Sequence, residues 1–230
     1  MRKIKNQGCL QKGMIRTSIL LLSVCVATLC FAEDESREPS LSYTLTIDGR
    51  NHQITLDQPL LLEGNYKNPK LTLAASPLRR FPFGGVEFHY PATFSWEAEI
   101  VSAKDKQWVL SGNDFKIMYF VLVDIVTLDS YVDAMVRQFG KEKTRISDTE
   151  RVLGRQKYTG KLLFVELAGT GINLEVFMLP SKEGSRLLVL QDSPPDNKAL
   201  SEEGDMTLRI LTETFKDTMT PDKPDAGGGK

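Results

Sequence analysis

Apolar residues recur at Leu128, Tyr131, Val132, Met135, Val136 and Phe139, offsets of 0, 3, 4, 7, 8 and 11. That is one stripe of a helix with a 3.6-residue period, with Asp129, Asp133 and Arg137 left for water. Thr127 is placed to cap this helix and Gly140 to end it. Most of the remaining chain reads in twos. Residues 43–47 alternate apolar and polar, Asp48-Gly49-Arg50-Asn51 is a turn, and 54–56 resume the alternation, which predicts a β-hairpin. Residues 60–62 and 71–73 are weaker strands, and 77–83 reads as a crossing segment. Residues 86–90, 97–101 and 107–110 are short strands, while the almost continuously apolar run 115–123 predicts a central strand covered on both faces.

After the helix, strands are expected at 143–149, 150–158, 161–168, 172–179 and 185–191, with Gly154, Gly160, Gly169-Thr170-Gly171 and Glu183-Gly184 read as turns. Ser201 is placed to cap a last helix running to about Lys216, with Leu208, Leu211 and Phe215 on one side. Residues 33–40 are charged and carry a proline, which marks a mobile linker; residues 219–230 are polar and rich in proline and glycine, which marks a disordered tail.

The N-terminus follows a different rule. Arg2, Lys3, Lys5, Lys12 and Arg16 form a basic head without an acid, residues 19–32 are almost wholly apolar, and residues 33–38 turn abruptly polar. That is the layout of a secretory signal peptide over residues 1–32, cut after Ala32. Thr17 to Ala32 is 16 residues, short of the roughly 20 a spanning helix needs, so no stable membrane insertion is expected after cleavage. An uncut segment acting as an anchor is the competing reading. Met14 is an alternative start, and neither Cys25 nor Cys30 follows the leucine-small-small pattern of a lipoprotein site.

Export changes the composition. Cys9, Cys25 and Cys30 all fall in the leader, so the mature chain has no disulfide, thiolate metal site or cysteine nucleophile. Removing the five leader cations from 29 basic residues leaves 24 against 30 acids, a formal charge of −6. No long basic cluster appears downstream, so nucleic acid is not an expected partner.

No residue pattern marks a reaction centre. His52 and His89 are the only histidines. His52 is read as part of a hairpin turn, and His89 should point away from Phe88 and Tyr90 on an alternating strand. No His-Glu-x-x-His pair or Gly-x-Ser-x-Gly elbow occurs. Ser111-Gly112-Asn113-Asp114 and Gly169-Thr170-Gly171 read as turns. Asp192, Asp196, Glu202, Glu203 and Asp205 lack the spacing of a calcium loop, and acids favour a helix N-terminus in any case. Trp96 and Trp108 are candidate partner anchors, weighed against an ordinary core role.

The opening 88–91, the helix start Thr127-Leu128-Asp129-Ser130-Tyr131 and the closing run 210–215 resemble the PsbP-like superfamily over about residues 84–218. That resemblance implies an α+β fold, an antiparallel sheet packed between helices, with residues 41–83 as an added β element. It also implies an accessory or binding role without catalysis. The expectation is therefore a soluble, non-enzymatic domain of the bacterial periplasm or exterior. It would need no cofactor and would bind a protein or envelope component. The alternative is a carrier holding an apolar small molecule between sheet and helix. An apolar cavity of several hundred Å³ beneath the 127–139 helix would mark the carrier, and a filled space the binding module.

Overall fold

A computed structural model describes residues 34–54, 59–61, 63–64, 66–195 and 198–219. The expected leader and all but the first residue of the expected tail lie outside the described residues.

A hairpin is present as β1 (Tyr43–Ile47) and β2 (Arg50–Ile54), but Arg50 and Asn51, expected in the turn, already pair in β2; β3 (Leu71–Ala75) lies on the other side of β1. Asp48 and Gly49 turn the chain with φ of 48° and 82°, values that suit a two-residue hairpin turn. A second small sheet joins β4 (Leu78–Phe81), β5 (Val86–Pro91) and the two-residue β13 (Lys216–Asp217).

The large sheet has seven strands, all antiparallel. It is built from two meanders. The first is β6 (Ser95–Ser102), β7 (Asp105–Ser111) and β8 (Phe115–Leu122). Helix α1 (Leu128–Phe139) then carries the chain to the far edge. There β9 (Thr144–Leu153), β10 (Gln156–Leu167), β11 (Thr170–Leu179) and β12 (Ser185–Asp192) return until β12 pairs with β8. The order is β6-β7-β8-β12-β11-β10-β9, and α2 (Glu202–Thr214) closes the fold.

Each face of this sheet has its own core. On one face α1 lays Val132 against Leu163, Val165, Leu174, Val176, Leu187 and Val189, with Met135, Val136 and Phe139 alongside. Side chains of α1 and of the sheet pack directly against each other there. The cap is as read: Thr127 Oγ1 accepts from Ser130 N–H, and Ser130 Oγ accepts from Thr127 N–H, both at 3.1 Å. On the other face lie Trp108, Leu110, Phe115, Ile117, Tyr119, Phe177, Leu188 and Leu190. They are covered by Leu208, Leu211 and Phe215 around α2 and by Phe81, Phe88 and Tyr90 of the small sheet.

The expected α+β sandwich of a sheet between helices is overturned. Among the described residues 51% lie in strands and 16% in helices, and the architecture is mainly β. The physical reason lies in residues 78–91. Phe81 stacks on Phe88 at 4.6 Å and meets Trp108 and Tyr119 edge-on at 5.6 and 6.0 Å. A second sheet, not only a helix, therefore covers that face. The segment read as a crossing supplies its edge strand.

The returning meander also differs in detail. Residues 144–153 form one strand, where a break near 149 was expected. Gly160 lies inside β10, where a turn was expected. A Cβ there would sit 2.2 Å from the Val176 carbonyl oxygen and 2.7 Å from the Phe177 ring, so close packing, not turning, requires the glycine. Gly169 does turn the chain, with Ala168, at φ of 83° and 50°.

Burial raises the Tyr119 hydroxyl to about 12, against an ordinary value near 10. The unfolded chain therefore ionises first. The stability contributed by the neutral phenol is complete below pH 10 and is lost as pH rises towards 12. Urea melts between pH 9 and 12 should show this loss, and Tyr119→Phe should make it shallower. An identical alkaline slope in both proteins would remove Tyr119 as its source.

Candidate binding groove

The open side of the sandwich lies between β4, an edge of the small sheet, and β6, an edge of the large one. The aromatic core reaches the surface there. Phe81 and Phe83 approach Trp96 at 5.8 and 5.9 Å, and Phe83 stacks on Trp108 at 6.0 Å. Trp96 remains half-buried, while Trp108 is fully buried.

Residues 34–39, read as a linker, close this seam. The Trp108 indole N–H donates to the Glu35 carbonyl at 2.8 Å, and the Trp96 indole N–H donates to the Ser36 carbonyl at 3.2 Å. Lys106, on the same face of β7 as Trp108, pairs with the Glu35 carboxylate. From the opposite wall Arg79 Nη1 donates to the Pro39 carbonyl at 2.6 Å and lies 3.3 Å from the Glu38 carboxylate. Two indole donors thus hold main-chain carbonyls, and two cations hold acids three residues apart. Ser36, Arg37 and Glu38 are nonetheless exposed.

Below the lead two buried polar atoms, Tyr90 Oη and Arg79 Nε, have no hydrogen-bond partner among the described residues. Arg79 and Tyr90 face each other across the β4–β5 pair. The Tyr90 hydroxyl is held well above its ordinary range, first by burial and then by the negative charge of Glu38, with Arg79 opposing.

The other residues singled out in the sequence are not brought together. His52 lies on β2 rather than in a turn, opposite Leu45, with Nε2 buried and unpartnered among the described residues. His89 lies on β5 in a different sheet, half-buried and facing away from the core, and its N–H donates to Thr214 Oγ1 at 3.0 Å. Asp192 accepts from Ser201 N–H and Oγ at 3.0 and 2.5 Å. Glu203 accepts from the N–H groups of Asp114 and Phe115 at 2.7 and 2.9 Å, fastening the Ser111–Asp114 turn. Glu202 and Asp205 pair with Lys198 and Arg209. Asp196 lies outside the described residues. Among the described residues no group of three or more His, Cys, Asp or Glu side chains is placed to hold a metal. No helix among them is long and apolar enough to cross a membrane.

Clefts occur elsewhere. One of about 300 Å³ beneath α2 is lined by Phe115, Leu162, Leu190 and Leu208, with polar walls from Arg151, Glu175 and Asp192. Arg151 and Glu175 are already paired through two bonds at 2.7 and 3.0 Å. Two larger clefts, about 580 and 600 Å³, share Thr218 at the C-terminal end of the described chain.

Sequence reasoning flagged the two tryptophans but missed Arg79, Lys106 and the docking of the lead. Opposite charge was the available signal, with Glu35 and Glu38 on one side and Arg79 and Lys106 on the other. Nothing in the local pattern places these groups beside each other. No protein-family model matches the sequence, and no curated protein is significantly similar to it.

Proposed function

We propose that this chain is an exported, non-catalytic binding domain of the bacterial cell envelope, and that it holds a protein segment in the seam between β4 and β6. The leader pattern of residues 1–32 supports export to the periplasm or beyond. The seam carries the binding reading. It presents half-buried Trp96 with its indole N–H, buried Trp108 behind it, and two flanking cations, all engaged with the turn and proline-bearing stretch of residues 34–39. Aromatic anchors beside cations are the composition of protein-binding hot spots. The histidines stand on separate sheets, and Asp192 and Glu203 are engaged in fastening α2.

One complementation experiment tests this. In a deletion strain with a scorable phenotype, His52→Ala/His89→Ala should keep both its melting temperature and full complementation. Trp96→Ala/Lys106→Glu should reach the envelope folded but fail to complement. The opposite pattern, a folded double-histidine variant that fails while the seam variant succeeds, would replace the binding reading with a catalytic or metal-dependent one. N-terminal sequencing of exported protein should begin at Glu33; a product retaining residues 19–31 would make the leader an anchor.

The carrier alternative has the cleft beneath α2 as its seat, since side chains fill the space beneath α1. About 300 Å³ is at the small end for a ligand site. Native mass spectrometry of protein taken from envelopes should show no apolar adduct if the binding-domain reading is right.

A further inference from the structure

We infer that the seam recognises an acidic, turn-forming, proline-bearing segment of a partner protein, and that residues 34–39 occupy it in cis as a displaceable competitor. The inference rests on the reading of the seam as a binding surface. The lead itself displays the recognised chemistry. Its backbone is read by indole donors, which take the carbonyls of Glu35 and Ser36, the central residues of a turn closed by the Arg37 N–H donating to the Asp34 carbonyl at 2.9 Å. Its acids are read by Lys106 and Arg79, which demand carboxylates about three residues apart. Its proline disfavours helical backbone at Glu38, so the chain leaves the turn there and its own carbonyl is free for Arg79.

The lead is also an incomplete ligand. Tyr90 Oη and Arg79 Nε stay buried and have no partner among the described residues. Buried donors are normally satisfied, and each one left over is a penalty that an occupant with one more acceptor would remove. An aspartate or glutamate side chain directed inwards from a partner segment supplies that acceptor. Meanwhile the lead is mostly solvent-exposed, so little apolar surface is lost when it leaves. It holds its place through tethering, which gives it a high effective concentration. A partner then binds with its intrinsic affinity reduced by the fraction of molecules whose seam is open.

The test uses the full mature chain and a fluorescent peptide carrying residues 33–41 with Arg37→Ala, so that trypsin leaves the peptide intact. Fluorescence anisotropy should show weak binding to the wild-type chain. Glu35→Lys/Glu38→Lys, which sets the lead against Lys106 and Arg79, should bind the peptide at least about tenfold tighter, because the open fraction rises. Adding Lys106→Glu should abolish that gain. A peptide with Glu35 and Glu38 changed to glutamine should bind about tenfold more weakly.

A second measurement leaves the chain unaltered. Saturating acidic peptide should accelerate trypsin cleavage at Arg37 as the lead is released, and the glutamine peptide should not. Equal peptide affinity for the wild-type and the Glu35→Lys/Glu38→Lys chains, with unchanged cleavage at Arg37, overturns the competitor role. Equal affinity for acidic and glutamine peptides overturns the acidic preference yet leaves the seam a binding surface. Binding of neither peptide to any folded variant overturns the seam reading as well. A concentration-dependent dimer of the wild-type chain whose Arg37 cleavage ignores the peptide assigns the seam to the lead of a second copy, and overturns the inference.

Discussion

Arg186→Met is expected to destabilise the domain by about 3–5 kcal/mol, the range for breaking a buried ion pair from one side. Arg186 is 1% exposed and sits on β12, the middle strand of the large sheet. Its guanidinium fastens four separate parts of the chain. Nε donates to the Tyr119 hydroxyl at 2.8 Å, and Nη1 donates to the Pro180 carbonyl at 2.6 Å. Nη2 donates to the Gly85 carbonyl at 2.9 Å, and both terminal nitrogens lie 3.1 Å from Asp217 Oδ1. Methionine fills much of the same volume, so the loss measures the bonds more than a cavity. It removes the guanidinium from beside the Asp217 carboxylate, whose side chain is itself fully buried. Arg186→Met/Asp217→Asn should therefore be more stable than the single variant, since the buried charge is gone. Urea denaturation measures both. A single-variant loss below about 1 kcal/mol would mean water replaces the guanidinium without penalty, and the network would not be the staple of the C-terminal strand.

Val132→Asp is the second large effect, again several kcal/mol, on the order of 3–5. Val132 is 3% exposed and is the one α1 residue that is fully buried. A carboxylate there would face Leu163, Val165, Leu174, Val176, Leu187 and Val189, none of which can donate a side-chain hydrogen bond. The neighbouring Asp133 is exposed, so the same charge one residue on is tolerated. That contrast separates burial from helix propensity. Thermal melting checks it, and a melting temperature within a degree or two of wild type would show that α1 buries another face.

Local rules made some elements legible. Helix α1 is found with its cap, its end and its buried stripe because all three are encoded within 14 consecutive residues, 127–140. The 43–54 hairpin and the turn at Ala168-Gly169 are legible because a two-residue turn imposes its backbone angles on the residues that make it. Gly160 shows the limit. Glycine serves as a turn former or as a gap under a neighbour, and only the position of Phe177 on the adjacent strand distinguishes the two. The strand formed by 144–153 was divided for a related reason. It is the β9 edge of the sheet, mostly exposed, so burial imposes no clean alternation on it.

The sequence by itself determined the strands of the first meander, the stripe of α1 and the absence of thiols after residue 30, because each is written in consecutive residues of the chain. Tertiary structure alone decided that the fold is mainly β, since a face of the large sheet takes a second sheet wherever aromatic side chains such as Phe81 and Phe88 fit against Trp108 and Tyr119. It also decided the candidate site. Arg79, Trp96, Lys106 and the 34–39 lead come from four stretches of sequence, and they meet only because β4 and β6 are the edges that two separately ordered sheets leave open.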